Sequence, residues 1–237
     1  MANFIKRNIP NTITCCNLIS GCMATGAAFH GYYMWAFVLI LTGAVFDFFD
    51  GMSARLLKVS SPIGKELDSL ADVVTFGVAP SAMLFHLLQY VYYPEWLGPL
   101  RGLIPYTAFL MAAFSALRLA KFNLDTRQTS SFIGVPTPAN TLFWASLIAD
   151  RHESLLLLPC APVLLFLLML LSCFLLVAEM PLFALKFKNL SWQDNKIKFI
   201  FILTCIPLII VLKYSGFAAI VAWYVLLSAF TWKRKRH

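Results

Sequence analysis

Charge is scarce in this chain. Only 13% of its 237 residues are Asp, Glu, Lys or Arg, 11 of them acidic, while 60% are hydrophobic. A soluble domain carries about a quarter charged residues. The shortage excludes an ordinary water-exposed surface, so the apolar excess must face lipid. The common zinc patterns are also missing. The six cysteines (Cys15, Cys16, Cys22, Cys160, Cys173 and Cys205) form no C-x-x-C pair, and His30, His86, His152 and His237 form no H-E-x-x-H. Zinc sites of the usual spacing are therefore excluded, and the cysteines are expected to be small buried hydrophobes. No internal repeat or low-complexity tail is present, and the chain reads as one domain, 1–237. Its basic residues are spread along loops, so the net charge of +8 does not point to a nucleic-acid partner.

What the chain does have is long apolar runs. Several reach the roughly 20 residues a helix needs to cross the hydrocarbon core. They fall near 12–30, 33–57, 64–92, 101–121, 137–150, 155–178, 197–213 and 215–232. The fifth is short, and the last two are divided only by Lys213 to Ser215. Lys and Arg concentrate on the cytoplasmic side. Eight crossings from a cytoplasmic N-terminus leave only Arg101, Arg151 and Lys213 of the 19 basic residues outside. Removing the fifth crossing would strand Lys186, Lys188, Lys196 and Lys198 outside. The expectation is an all-α, multi-pass protein of the cell membrane with eight helices and both termini cytoplasmic. A cleaved leader is not expected: Asn11, Thr12, Thr14, Asn17 and Ser20 make the first segment too polar for an efficient apolar core.

Four of the few acids gather in 26 residues. Asp47 and Asp50 are three apart near the cytoplasmic end of the second segment; Asp68 and Asp72 are four apart near the start of the third. Each pair shares one helical face, and the short connection makes the two helices antiparallel neighbours. The four carboxylates therefore converge at similar depth. Acids in a membrane span are costly and mark function by default. Two such charges ~6 Å apart repel by about 3 kcal/mol at an effective dielectric near 20, which calls for protonation or bound cations. All-oxygen ligation suits Mg²⁺, Mn²⁺ or Ca²⁺, and four carboxylates are enough for two ions, as in phosphoryl transfer. Gly51 and Gly64 leave room for close approach, Ala54 keeps the next turn small, and Arg55 supplies a cation for a phosphate. A cation transporter is the rival from another class, but it would place acids near the midplane with access from both sides.

Residues 47–72 read DFFDGMSARLLKVSSPIGKELDSLAD, that is D-x₂-D-G-x₂-A-R-x₈-G-x₃-D-x₃-D. The stretch resembles the full motif of the CDP-alcohol phosphotransferases, with every defining position matched. The resemblance implies a six-helix core, here followed by two further helices, and a homodimer with a two-metal site (Mg²⁺ or Mn²⁺) open to the cytoplasm. Asp47, Asp50, Asp68 and Asp72 would be the metal ligands, with Asp72 also the base. Gly51, Ala54, Arg55 and Gly64 would bind the CDP phosphates. Upstream, PNTITCCNLISG (10–21) is similar to the family's segment beside the nucleotide, which adds Thr14 and Asn17.

A second stretch, RLAKFNLDTRQTSSFIGVPTPA (118–139), resembles segments of bacterial phosphatidylserine synthases, with Lys121 where arginine is common. The resemblance implies CDP-diacylglycerol as donor and L-serine as acceptor, with phosphatidylserine and CMP as products. Arg118, Lys121 and Arg127 offer cations for a carboxylate or phosphate; Asn123, Ser130 and Ser131 offer neutral hydrogen bonds; Gly134 and the prolines hold the loop's shape. A basic loop that merely satisfies topology would also contain such cations. Glycerol 3-phosphate, inositol and choline remain alternative acceptors on the same fold. The resemblance covers about residues 5–150.

Overall fold

The computed structural model describes residues 2–59, 61–125, 134–182 and 192–235, with side chains placed for 8–59, 61–125, 134–182 and 195–232. The described residues contain nine α-helices: α1 Ala2–Phe29, α2 Tyr33–Leu57, α3 Pro62–Asp72, α4 Ala79–Tyr90, α5 Leu110–Leu124, α6 Thr137–Leu157, α7 Ala161–Val177, α8 Trp192–Leu212 and α9 Gly216–Lys235. No strand occurs among them. Four stretches, Asn8–Phe29, Tyr33–Leu57, Pro62–Tyr90 and Asn195–Trp232, are long and apolar enough to cross a membrane, and Ala161–Val177 is a shorter apolar helix. The protein is an integral, multi-pass membrane protein.

All eight expected segments are helical, with altered ends, though only some of them are long and apolar enough to cross a membrane. The third, expected over 64–92, is one rod from Pro62 to Tyr90 whose middle, Val73–Val78, is π-helical. Ser61 caps its start by accepting a hydrogen bond from the Gly64 N–H at 2.9 Å, and Pro62 takes the first turn, where no N–H is missed. The fourth is regular only from Leu110. Before it, Gly98, Pro99, Gly102 and Pro105 allow two 3₁₀ stretches, Glu95–Leu100 and Ile104–Phe109. The fifth is longer than its expected 14 residues, because the polar run Arg151 to Glu153 stays helical past the apolar stretch. The sixth is shorter than expected. Pro159 forces Leu158 into an extended conformation, and helix resumes only at Ala161. The seventh and eighth are distinct helices, divided by the 3₁₀ turn Lys213–Ser215.

Small residues set the packing. Ala24, Ala28 and Ala36 are fully buried where α1 and α2 pair, as expected where helices associate by close backbone approach rather than by hydrophobic drive. The core gathers Phe37, Met83, Leu84, Leu87, Met111, Trp144, Ile148, Leu165 and Met169 from α2, α4, α5, α6 and α7. Trp144 satisfies its indole N–H on Ser172 Oγ at 3.1 Å. By contrast α8 and α9 form an outlying hairpin, tied by Trp223 Nε1 donating to Thr204 Oγ1 at 2.9 Å. Of the cysteines only Cys173 is buried; Cys15, Cys22 and Cys160 are exposed. The expectation of six buried thiols was wrong, because lipid accepts a small apolar side chain as readily as a core does.

Candidate active site and metal centre

Three elements meet at one end of the bundle. α2 carries Asp47 and Asp50 into its last turns and ends at Lys58, whose left-handed conformation (φ 52°) lets its N–H close on Ala54 and Arg55 carbonyls. The chain then reverses within a few residues into the Ser61 cap, so α3 presents Asp68 and Asp72 back towards α2. α1 packs across both and supplies Thr14 and Asn17.

One ligand oxygen each from Asp47, Asp50 and Asp68 lie within 4.8 Å of one another. If all three were ionised, each pair at that distance would repel by about 3 kcal/mol at an effective dielectric near 20. The motif's own cation, Arg55, folds back along α2, its Nε donating to the Gly51 carbonyl at 2.9 Å. Asp68 Oδ1 is buried with no hydrogen-bond partner. A buried orphan acceptor inside an all-oxygen, like-charged trio is what a hard divalent cation satisfies, so the residues present fit a metal. Asp72 stands apart from the trio. Its Oδ1 accepts from Asn17 Nδ2 at 3.3 Å.

Beside the trio is a cavity of about 250 Å³, bounded by Pro10, Asn11 and Thr14 of α1, Asp50, Gly51 and Ala54 of α2, and Ser61, Gly64, Lys65 and Asp68 of α3. Thr14 Oγ1 donates to Asp50 Oδ2 at 2.6 Å, which fixes that carboxylate's rotation. The two motif glycines differ. A Cβ on Gly51 would meet nothing within 4 Å, whereas one on Gly64 would lie 2.9 Å from both Asn11 Oδ1 and Ser61 Oγ. Gly51 thus opens space for a ligand, and Gly64 makes room for the cap and α1.

The residues of 118–139 divide in a similar way. Arg118 is buried (7% exposed) and sits over the Phe122 ring at 5.1 Å, close enough to Asp72 to feel its charge. Lys121 is exposed in the last turn of α5. Asn123 is engaged: its Nδ2 donates to Ser69 Oγ at 2.8 Å, and its carbonyl accepts from Lys65 Nζ at 3.3 Å, tying α5 to α3. Gly134 adopts φ 74° and lies against the end of α7, where a Cβ would come 2.8 Å from the Leu176 carbonyl. Its N–H donates to Met180 O at 3.0 Å. Arg127, Ser130 and Ser131 lie outside the described residues.

Sequence reasoning overlooked Thr75, Gly43 and Gly21. Thr75 is fully buried and its Oγ1 reaches Asn17 Oδ1 at 2.8 Å. A Cβ on Gly43 would lie 2.7 Å from Thr75 Cγ2. A signal was there to find: Asp68, Asp72 and Thr75 form a polar stripe at i, i+4 and i+7 in an apolar span, and Thr14, Asn17 and Gly21 form its counterpart on α1.

The family model described as CDP-alcohol phosphatidyltransferase matches residues 7–178. A Bacillus subtilis (strain 168) protein named CDP-diacylglycerol–serine O-phosphatidyltransferase is 40% identical over 130 residues, which is 55% of this chain and 69% of that one. Proteins of the same name from Helicobacter pylori (strain J99) and Methanocaldococcus jannaschii are 38% and 34% identical, each over more than half of this chain. The matched stretch spans only 52% and 57% of those two relatives.

Proposed function

This chain belongs to the CDP-alcohol phosphatidyltransferase family, and from that premise we propose that it transfers the phosphatidyl group of CDP-diacylglycerol to the hydroxyl of L-serine, giving phosphatidylserine and CMP. The observation that carries the reading is the convergence of Asp47, Asp50 and Asp68 beside a cavity that Asp50 and Asp68 line, with a buried carboxylate oxygen of Asp68 unsatisfied. Serine as the acceptor is supported by residues 118–139 and by the names of the relatives.

In this reading Asp47, Asp50, Asp68 and Asp72 hold two divalent ions, Mg²⁺ or Mn²⁺. When bound, these supply charge neutralisation at the donor's pyrophosphate. Thr14 keeps Asp50 turned towards the trio. Gly51, Ala54, Gly64, Arg55 and Asn17 shape the space for the CDP moiety. Arg118 brings a desolvated cation to the reacting phosphate or to the serine carboxylate, and Lys121, Arg127, Asn123, Ser130, Ser131 and Gly134 complete the acceptor side. Asp72 takes the proton from the serine hydroxyl as that oxygen bonds to the lipid-bearing phosphorus. The bond from that phosphorus to the CMP oxygen breaks, and CMP leaves with the electron pair. A single displacement needs no covalent enzyme intermediate. The charge bias of the loops supports a cytoplasmic position for this end and for both termini in the cell membrane, and the resemblance to the family supports a homodimer.

The test is CMP release by the purified protein with CDP-diacylglycerol and Mn²⁺ or Mg²⁺, offered serine, inositol or glycerol 3-phosphate in turn. Release with serine alone is expected. Release with none of them overturns the enzyme reading, and release with inositol or glycerol 3-phosphate but not serine overturns the acceptor.

A further inference from the structure

Hydroxyls in this bundle mostly satisfy themselves locally. Thr12, Thr25, Thr42 and Ser81 each donate to the carbonyl four residues back in their own helix, the usual fate of such side chains in a helix. Thr75 does not. It sits three residues past Asp72, in the π-helical segment Val73–Val78, and its hydroxyl crosses to α1. There it lies 2.8 Å from Asn17 Oδ1 and 3.1 Å from the Asn17 carbonyl. Asn17 Nδ2 in turn donates to Asp72 Oδ1. Thr75, Asn17 and Thr14 are all nearly or fully buried. We propose that Thr75 is a positioning residue for Asp72, acting through the Asn17 amide; the proposal rests on the transferase reading above.

An amide has one accepting and one donating end. With the Thr75 proton on Oδ1, the NH₂ is obliged to face Asp72. Reversed, the amide would aim its oxygen at a carboxylate. The donated hydrogen bond then occupies Asp72 Oδ1 and leaves Oδ2 as the oxygen that receives the acceptor's proton. The surroundings hold Thr75 in that rotamer. A Cβ on Gly43 would lie 2.7 Å from its methyl and 2.9 Å from Asn17 Oδ1, and a Cβ on Gly21 would run into Thr75 itself. Two helices thus give up side chains to close on this one hydroxyl. The π segment supplies the local departure from α geometry, a feature frequent at functional sites.

The test uses the full chain with CDP-diacylglycerol, serine and Mn²⁺, comparing wild type, Thr75→Val, Thr75→Ala, Thr75→Ser, Asn17→Ala and the Thr75→Val/Asn17→Ala double variant. Thr75→Val and Thr75→Ala should each lose about 10-fold in kcat, the lower end of what loss of a supporting hydrogen bond costs at such sites, with the serine KM within about 2-fold. Thr75→Ser should recover most of the rate. In the Asn17→Ala background Thr75→Val should cost less than about 2-fold more, because residues acting as one unit are not additive. Full multiplication of the two losses, or a Thr75→Ser as slow as Thr75→Val, would overturn the proposal. So would an unchanged kcat in Thr75→Val or Thr75→Ala. A wild type without serine-dependent CMP release would instead sink the transferase reading.

Discussion

The two ends of the bundle both gather polar side chains at helix junctions, and they treat them in opposite ways. At the end away from the aspartate trio, Asp150 accepts from the Ser215 N–H at 3.2 Å and pairs with Arg151 at 3.2 Å. Arg151 also donates to Ser215 Oγ at 3.0 Å, and that hydroxyl donates onward to Leu212 O. Nearby, Tyr33 and His86 share a hydrogen bond of 2.8 Å. Every group named there has a partner of complementary character. At the other end three carboxylates converge, and a buried oxygen of Asp68 has no partner. A network that closes on itself holds helices together; one with like charges and an unpaired buried acceptor has the chemistry to bind a cation. That difference separates structural polarity from functional polarity in this protein more sharply than burial does.

The sharpest way to break the contrast is to neutralise the carboxylates of the open end one at a time. Asp72→Asn should cut serine-dependent CMP release by about 10²- to 10⁴-fold, the contribution of a positioned base, while leaving the fold intact. Near-normal turnover would remove Asp72 from the base role. Asp68→Asn should lower CMP release by more than about 100-fold, beyond what loss of an outer-shell partner costs. It should also raise the thermal midpoint in EDTA, because it relieves like-charge repulsion. If that variant were less stable than wild type in EDTA, Asp68 would be a structural residue and the open network an illusion. Metal itself sharpens the point. Saturating Mn²⁺ should stabilise wild type by about 3 kcal/mol at 100-fold excess over Kd, and thermal denaturation with and without EDTA should show none of that gain in Asp68→Asn.

Much of this contrast was legible in the sequence at one end and not at the other. Asp47, Asp50, Asp68 and Asp72 stand out because an acid in an apolar run is itself an anomaly, and their i, i+3 and i, i+4 spacings fix the face they share. What spacing could not reveal was that Asp72 is set apart, held by Asn17 from a helix more than 50 residues away. That depends on how α1 crosses α3, which is a packing fact. The same limit hid the ring in which neighbouring Asp150 and Arg151 meet Ser215 from 65 residues away, all of them ordinary in composition. The helix ends were misplaced where proline acts on its neighbours rather than on itself, as at Leu158. The π segment has no compositional mark at all.

The smallest expected effect is at the closed end, and it tests the comparison from the other side. Asp150→Ala removes the acceptor for the Ser215 N–H, a half-buried pairing at the turn between α8 and α9. Losing it should cost about 1–3 kcal/mol, the penalty for leaving a shielded donor unpaired. The effect should appear as a lower thermal midpoint and as looser packing of the α8–α9 hairpin against α6. It should not appear in kcat per folded molecule or in the stabilisation conferred by Mn²⁺, because the ring shares no residue with the trio. Equal thermal stability would mean that lipid or water substitutes for the lost acceptor, and that a closed network at this depth contributes little. A fall in kcat at unchanged stability would mean that the two ends are coupled through α6, whose Thr141 hydroxyl already reaches the Phe76 carbonyl in the π segment.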